Sequence, residues 1–142
     1  MRLFGDFEPG RVGLAMLVLR VVSGIALVIH GLPKIAHPFN WMDKPGAPAA
    51  IPDVLQALAA LGEFGGGLGL IFGFLTPIAA LGVMATMLGA KFTSHAGDPW
   101  VNPGGKSFEL ASLYFLIGLT ILLAGPGKWS LDAQVFGRGS RK

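Results

Sequence analysis

The sequence predicts an all-α fold, an integral membrane four-helix bundle with both termini on the cytoplasmic side. The chain has 142 residues, enough for one domain, and 52% of them are hydrophobic while only 13% are charged. A soluble domain normally carries about 25% charged residues, so this chain lacks the charge for a water-exposed surface. Its mean hydropathy of +0.62 leads to the same prediction. Segments rich in proline and glycine divide the apolar sequence into separate helices.

Four apolar stretches are long enough to approach or exceed the length of a bilayer span. The predicted helices cover residues about 12–35, 53–75, 77–95 and 107–124. Thr76 is predicted to cap the third helix and Pro77 to occupy its first turn. Residues 36–52 and 96–106 contain too many prolines and glycines for helices, and residues 128–142 are predicted to form a short basic tail.

The distribution of basic residues predicts the orientation. An even number of crossings places both termini on one side, where the basic residues are Arg2, Arg11, Lys128, Arg138, Arg141 and Lys142. The loops on the opposite side hold Lys44 and Lys106. This bias predicts cytoplasmic termini in a multi-pass protein of the cell membrane. No basic stripe interleaved with aromatic residues occurs, so we expect no nucleic-acid partner.

The second helix carries the most distinctive sequence in the chain. Its apolar run over residues 54–75 contains a single ionisable residue, Glu63. The same run contains Gly62, Gly65, Gly66, Gly67, Gly69 and Gly73. Glycines spaced four apart let the backbones of membrane helices approach closely. They predict tight packing of helix 2, either within the chain or in a homo-oligomer.

Arg20 is the charged residue that we expect to face Glu63. At about 1.5 Å per residue, Arg20 lies about 12 Å and Glu63 about 18 Å from the cytoplasmic ends of their helices. An unpaired charge costs roughly 2.5–3.5 kcal/mol at the centre of a membrane helix, so pairing is expected. The pair is either an inert contact between helices 1 and 2 or the floor of a polar pocket.

A second group of ionisable residues is predicted in the outer half of the bundle. His30 and Lys34 are four apart and therefore lie on one face of helix 1. Lys91 and His95 have the same spacing on helix 3. Glu109 lies in the first turn of helix 4 and enters from the same side. These are too many ionisable groups to face lipid.

Three kinds of ligand suit such a cluster. A transition metal would use the His and Glu side chains, but the Glu-x-x-His spacing of di-iron bundles is absent. A quinone headgroup would accept hydrogen bonds from His and Lys, with Glu63 and His30 handling protons. A lipid or small hydrophobic solute would bind without chemistry. The chain contains no cysteine, so thiol chemistry within it is excluded.

Several short motifs occur in an order that resembles the DoxX family. They are Arg20, IHGLPK (29–34), GEFGGG (62–67) with Gly73 and Thr76, KFTSH (91–95), Glu109, and GPGKWSLD (125–132). The resemblance implies one DoxX-like transmembrane domain over residues 1–142, in a bacterial or archaeal cytoplasmic membrane. Related proteins include the DoxD-type small subunit of thiosulfate:quinone oxidoreductase.

The resemblance implies a membrane subunit of a quinone-linked oxidoreductase system connected with oxidative stress, working beside soluble or membrane oxidoreductase partners. The ligand-binding residues under this hypothesis are Arg20, His30, Lys34, Glu63, Lys91, His95 and Glu109. The alternative is a membrane protein without enzymatic activity. Such a protein would bind a lipid or hydrophobic solute, or would recruit soluble enzymes through its basic tails.

Overall fold

The regular structure consists of helices. The structure is a computed structural model that describes residue 7 and residues 9–43 and 51–137. Within these ranges every regular element is helical, which confirms the all-α prediction. In chain order the helices are α1 (Gly10–Ala36), α2 (Asp53–Phe72), α3 (Thr76–Phe92), α4 (Glu109–Ala124) and α5 (Leu131–Phe136). The basic residues Arg2, Lys44, Arg138, Arg141 and Lys142 lie outside the described residues.

The end of α2 differs from the predicted boundary at residue 75. Gly73 takes the left-handed conformation, with φ of +60°, and stops the helix at Phe72. The Phe74 N–H donates to the Gly69 carbonyl at 3.0 Å, and the Gly73 N–H donates to the Leu70 carbonyl at 3.2 Å. This pair of bonds is the Schellman motif, which glycine favours because it lacks a Cβ. Two other boundaries also differ from the prediction: α3 ends at Phe92 rather than residue 95, and α4 begins at Glu109 rather than residue 107.

The start of α3 is capped from a distant part of the chain. The Asp132 carboxylate accepts hydrogen bonds from the N–H groups of Leu75 and Thr76, both at 2.8 Å. These N–H groups lie at the positive end of α3, where they have no partner within the helix. Thr76 is therefore the first residue of α3 and not its cap, while Pro77 lies in the first turn as predicted.

Residues 128–137, the described part of the predicted basic tail over residues 128–142, are folded against the rest of the protein. The Ser130 Oγ accepts a hydrogen bond from the Ala133 N–H at 3.1 Å and caps the short helix α5. The Asp132 N–H donates to the Gly73 carbonyl at 2.9 Å. Asp132 itself is fully buried. This part of the chain therefore folds back onto the turn between α2 and α3.

The glycines of α2 set how closely its neighbours pack. Helix α1 packs along α2, α2 along α3 and α3 along α4, while α4 also contacts α1. A Cβ on Gly67 would lie 2.8 Å from the Gly24 carbonyl oxygen, and one on Gly24 would lie 2.7 Å from the Gly67 carbonyl oxygen. On the side toward α3, Gly66 and Gly69 approach Val83 and Ala79 in the same manner. The predicted close packing of α2 is confirmed within the chain, and a homo-oligomer stays a prediction.

Much of the outward surface of the helices is apolar, and several polar side chains are buried inside. The outer face of α1 carries exposed Leu14, Val18, Val22, Ile25, Ile29 and Leu32. A soluble monomer rarely exposes so continuous an apolar surface, which suits contact with lipid. Helices α1 and α2 are long and apolar enough to cross a membrane, whereas α3 and α4 have 17 and 16 residues and are shorter. Four crossings therefore stay a prediction.

Substituting Gly67 tests whether the close contact between α1 and α2 holds the fold together. We expect Gly67→Ala to lower the free energy of unfolding by about 1–3 kcal/mol, because the added methyl group meets backbone that cannot move aside. Gly65→Ala is the matched control, since a Cβ there meets only the Leu61 side chain of the same helix. Thermal unfolding in detergent measures both. Equal melting temperatures for the two variants would contradict the packing described for Gly67.

Candidate functional site

Four of the predicted site residues surround one small cavity. The polar cavity has a volume of about 230 Å³, and the predicted residues that line it are His30, Lys34, Glu63 and His95. Helix α1 contributes the first two residues, α2 the third and the turn after α3 the last. Tyr114 from α4 completes the polar part of the wall. The sequence therefore predicted most of the ionisable residues that line this cavity.

A partly buried ion pair joins the polar cavity to a larger one. The Lys34 Nζ lies 2.6 Å from both carboxylate oxygens of Glu63, whose side chain is only 7% exposed. Both residues also line the α2–α3 cavity, a space of about 420 Å³ between the first half of α2 and the second half of α3. The Lys34 Nζ lies 4.6 Å from the centre of the Trp41 ring. The ion pair is thus the shared wall of two cavities.

Arg20 does not pair with Glu63, which corrects the sequence prediction. Its Nη1 donates to the carbonyls of Leu70 and Ile71, both at 2.9 Å, and its Nη2 donates to the Trp129 carbonyl. Two of these three carbonyls belong to the last turn of α2, where helix carbonyls have no partner within the helix and the dipole is negative.

The antiparallel register of α1 and α2 explains the error. Because Gly24 meets Gly67, Arg20 faces the end of α2 and not its middle. Glu63 lies seven residues before Leu70, which is about 10 Å along the helix axis. Arg20 lines neither of the two cavities, so the structure places it apart from the other predicted ligand-binding residues.

The two histidines occupy different settings at the polar cavity. His30 is exposed and meets the Tyr114 ring edge-on, with 6.4 Å between ring centroids. His95 lies beyond the end of α3, so it does not share a helical face with Lys91 as predicted. Its Nδ1 lies 2.9 Å from the Asp98 carboxylate. His30 thus connects the cavity with the surface, while Asp98 fixes the orientation of the His95 ring.

Lys91 and Glu109 lie outside the polar cavity. The Lys91 Nζ stands 3.6 Å from the centre of the Phe108 ring and 3.4 Å from the Asp98 carbonyl oxygen. It lines a separate cavity of about 350 Å³ between α3 and α4. Glu109 is exposed in the first turn of α4 and lines none of these cavities. The predicted convergence therefore holds for four of the seven residues.

Gln56 and Trp41 are part of the site that sequence reasoning missed. Gln56 is 1% exposed, and its Oε1 accepts a hydrogen bond from the Met42 N–H at 2.9 Å. The Trp41 Nε1 donates to the Gln56 carbonyl at 2.9 Å. These bonds hold the segment after α1 against α2, and both side chains line the α2–α3 cavity. The sequence could have indicated the position of Gln56, because Gln56 precedes Glu63 by seven residues and therefore lies on the same face of the helix.

The chemistry available at this site is that of a paired lysine and glutamate, with histidine and tyrosine nearby. Among the residues that the structure describes, no three His, Asp or Glu side chains cluster closely enough to hold a metal ion. The α2–α3 cavity has the size of ligand pockets, about 300–1,000 Å³, and a mainly apolar lining with a few convergent polar groups. The residues that line the α2–α3 cavity therefore fit an amphipathic organic headgroup.

Comparison with known proteins identifies the family. The family model described as DoxX matches residues 15–96, a range that includes most of α1, all of α2 and α3, and the Lys34–Glu63 pair. The chain belongs to the DoxX family. The resemblance that the sequence motifs indicated is thereby confirmed, and this DoxX protein is a member of a family of membrane proteins.

Two relatives in bacteria illustrate the range of names in the family. The DoxX protein is 35% identical to "Inner membrane protein YqjF" of Escherichia coli over 82% of its own length and 88% of the relative. It is 29% identical to "Putative oxidoreductase CatD" of Bacillus subtilis over 84% of its own length and 86% of the relative. No solved structure gives a significant match.

Proposed function

We propose that this DoxX protein binds a quinone headgroup beside the Lys34–Glu63 pair and serves as the membrane subunit of a quinone-linked oxidoreductase. The observation that carries the proposal is the Lys34–Glu63 ion pair, with its buried carboxylate, shared by the polar cavity and the α2–α3 cavity. A membrane protein rarely keeps ionisable side chains inside unless they serve a function. The name of the Bacillus relative, a putative oxidoreductase, supports the same class of function.

The side chains at the ion pair can bind the headgroup and hold a proton near it. When bound, a quinone supplies the capacity to take up two electrons and two protons. The Lys34 ammonium would donate a hydrogen bond to a carbonyl oxygen of the headgroup, and Glu63 would hold a proton next to it. His30, exposed and facing the polar cavity, would exchange that proton with the solvent. The electrons would come from a partner redox protein.

The proposal includes a membrane arrangement. In it, α1 to α4 cross the bilayer as a four-helix bundle, and Arg11 and Lys128 lie on the cytoplasmic side with both termini. Both residues are exposed. The Lys34–Glu63 pair then lies in the outer half of the membrane, where the headgroup of a bilayer quinone can reach it.

Fluorescence of Trp41 tests headgroup binding, because Trp41 lines the α2–α3 cavity. In a protein with Trp100→Phe and Trp129→Phe, we expect a short-chain quinone to quench Trp41 saturably. Adding Lys34→Met should weaken binding about tenfold or more, since hydrogen bonds from charged groups contribute about 1.5–3 kcal/mol. Lys106→Met, at an exposed loop lysine, is the matched control. Quenching that does not saturate, or that Lys34→Met leaves unchanged, would contradict the proposal.

The apolar lining of the α2–α3 cavity favours a second function, binding of a lipid or hydrophobic solute without chemistry.

Recruitment of soluble enzymes by the basic C-terminus is a third possible function. Deleting residues 128–142 would not test recruitment cleanly, because it removes the Asp132 cap of α3. Deleting only residues 138–142 leaves that cap in place. Recruitment is favoured if this short deletion abolishes the cellular phenotype while Glu63→Gln and His30→Ala preserve it.

A further inference from the structure

A long apolar groove continues from the α2–α3 cavity toward the other end of the protein. This glycine groove has a volume of about 590 Å³ and is formed by the second half of α2 and the first half of α3. Leu58 and Gly82 line both spaces. Since α2 and α3 are sequential and joined by a short turn, the two spaces follow one another along the same helix pair. The two spaces therefore adjoin at Leu58 and Gly82, and we treat them as one channel between α2 and α3.

At three glycines in this channel a Cβ would not clash with a neighbouring helix. A Cβ on Gly89 would meet nothing within 4 Å, one on Gly82 would come no closer than 3.8 Å to Gly62, and one on Gly65 would meet only Leu61 of its own helix. A glycine inside a helix destabilises it by roughly 0.5–1 kcal/mol relative to alanine. Gly66 and Gly67 offset this cost by close helix contact, but these three do not. The effect of their missing side chains is to keep the channel deep.

The channel is polar at one end only. Lys34, Glu63 and Gln56 line the α2–α3 cavity, whereas the far end of the glycine groove is lined by Phe72, Phe74 and Ile78. Ile78 and Ala90 line opposite ends of the channel within α3 and are twelve positions apart, so the channel extends for about 18 Å along that helix. Its shape and polarity match an amphiphile with a small polar head and one long hydrocarbon chain.

We propose that the isoprenoid tail of the bound quinone lies in the glycine groove, with its free end near Phe72 and Phe74. This inference rests on the proposed headgroup site. The groove adjoins that site, so the tail of the same ligand is the occupant that we expect in it. In lipid the tail gains little from the hydrophobic effect, so its position depends on van der Waals packing against the groove. The groove therefore selects ligands by tail shape and fixes the direction in which the headgroup enters.

Photo-crosslinking tests the position of the tail. The probe is a long-tailed quinone with a diazirine at the free end of the tail, added to the full chain reconstituted in lipid vesicles, and adducts are mapped by mass spectrometry. We expect adducts at Phe72, Phe74 or Ile78. Gly65→Leu fills the groove and should lower their yield about tenfold, the factor that corresponds to a steric cost of about 1.4 kcal/mol. Gly65→Ala, with one methyl group, should have a smaller effect.

Two controls separate the tail from the headgroup. Ala15→Leu adds similar bulk to an exposed position of α1 and should leave the adducts unchanged. Saturable quenching of Trp41 by a tail-free quinone should be the same in Gly65→Leu as in wild type. Adducts on the outer face of α1, or a yield that Gly65→Leu does not change, would overturn the tail inference alone. Absence of headgroup binding in wild type would overturn the proposed function and, with it, this inference.

Discussion

Asp132→Ala is expected to destabilise the protein by at least about 2 kcal/mol, because it removes the buried carboxylate that caps the start of α3. Two effects add. The N–H groups of Leu75 and Thr76 lose their acceptor, at about 1–3 kcal/mol for each one left unsatisfied. Leu75 also has a positive φ of 47°, a strained conformation for a residue with a side chain, and Asp132 is what holds it.

Unfolding in mixed micelles measures this loss, and Asp53→Ala provides the control. Asp53 is an exposed carboxylate in the first turn of α2, where a favourable interaction with the helix dipole contributes only about 0.3–1 kcal/mol. Asp132→Asn keeps one acceptor oxygen and should fall between the two. A melting temperature for Asp132→Ala that matches Asp53→Ala would show that the contact with the α2–α3 turn is dispensable.

A pair of substitutions tests whether Arg20 is energetically coupled to Glu63. Arg20→Leu removes the side-chain donor to the Leu70, Ile71 and Trp129 carbonyls, of which the first keeps only the Gly73 N–H. Because Glu63 is not among its partners, the losses from Arg20→Leu and Glu63→Leu should add, within about 0.3–0.5 kcal/mol. A double variant clearly more stable than the sum of the two losses would restore the pairing that the sequence predicted.

Lys34→Met is the second substitution with a large expected effect, about 3–5 kcal/mol of lost stability, because it leaves the Glu63 carboxylate buried without a counter-charge. Glu63→Leu should cost less. The Lys34 side chain is 24% exposed and sits near the end of α1, so its ammonium can turn outward to solvent, whereas Glu63 at 7% exposure cannot. The two losses of stability differ because the Glu63 side chain is more deeply buried than that of Lys34.

A double-mutant cycle measures the ion pair directly. Lys34→Met combined with Glu63→Leu removes both charges and should recover most of the stability that Lys34→Met loses. Lys91→Met is the matched single variant, since Lys91 has an aromatic ring and a backbone carbonyl as partners and no carboxylate within ion-pair distance is described for it. If the double variant is no more stable than Lys34→Met, the contact between Lys34 and Glu63 is not the source of the loss.

The sequence predicted the helices better than it predicted the contacts of their charged residues. Apolar runs bounded by Pro and Gly identify helices well, and spacing of four placed His30 and Lys34 together correctly. The Arg20–Glu63 prediction failed because it considered only opposite charges as partners for Arg20. The carbonyls in the last turn of α2 are an equally good partner for a guanidinium, and no side-chain pattern marks them.

Other parts of the site depend on contacts between distant segments. Nothing local to Asp132 shows that it caps α3, since Thr76 lies more than fifty residues away. The role of Trp41 depends likewise on its hydrogen bond to Gln56. The position of His95 required knowing that α3 ends at Phe92, and the sequence pattern placed that end three residues late. Each of these failures concerns where a helix ends or what folds back onto it.

The contacts of Arg20 and Asp132 also bear on how such a protein can change during evolution. They join α1, the turn between α2 and α3, and the start of α5 at one end of the molecule, remote from the Lys34–Glu63 pair. Mutations that reshape the polar cavity or the α2–α3 cavity therefore leave these contacts intact. A lineage can acquire a new ligand at one end while the other end continues to specify the fold, which makes the scaffold evolvable.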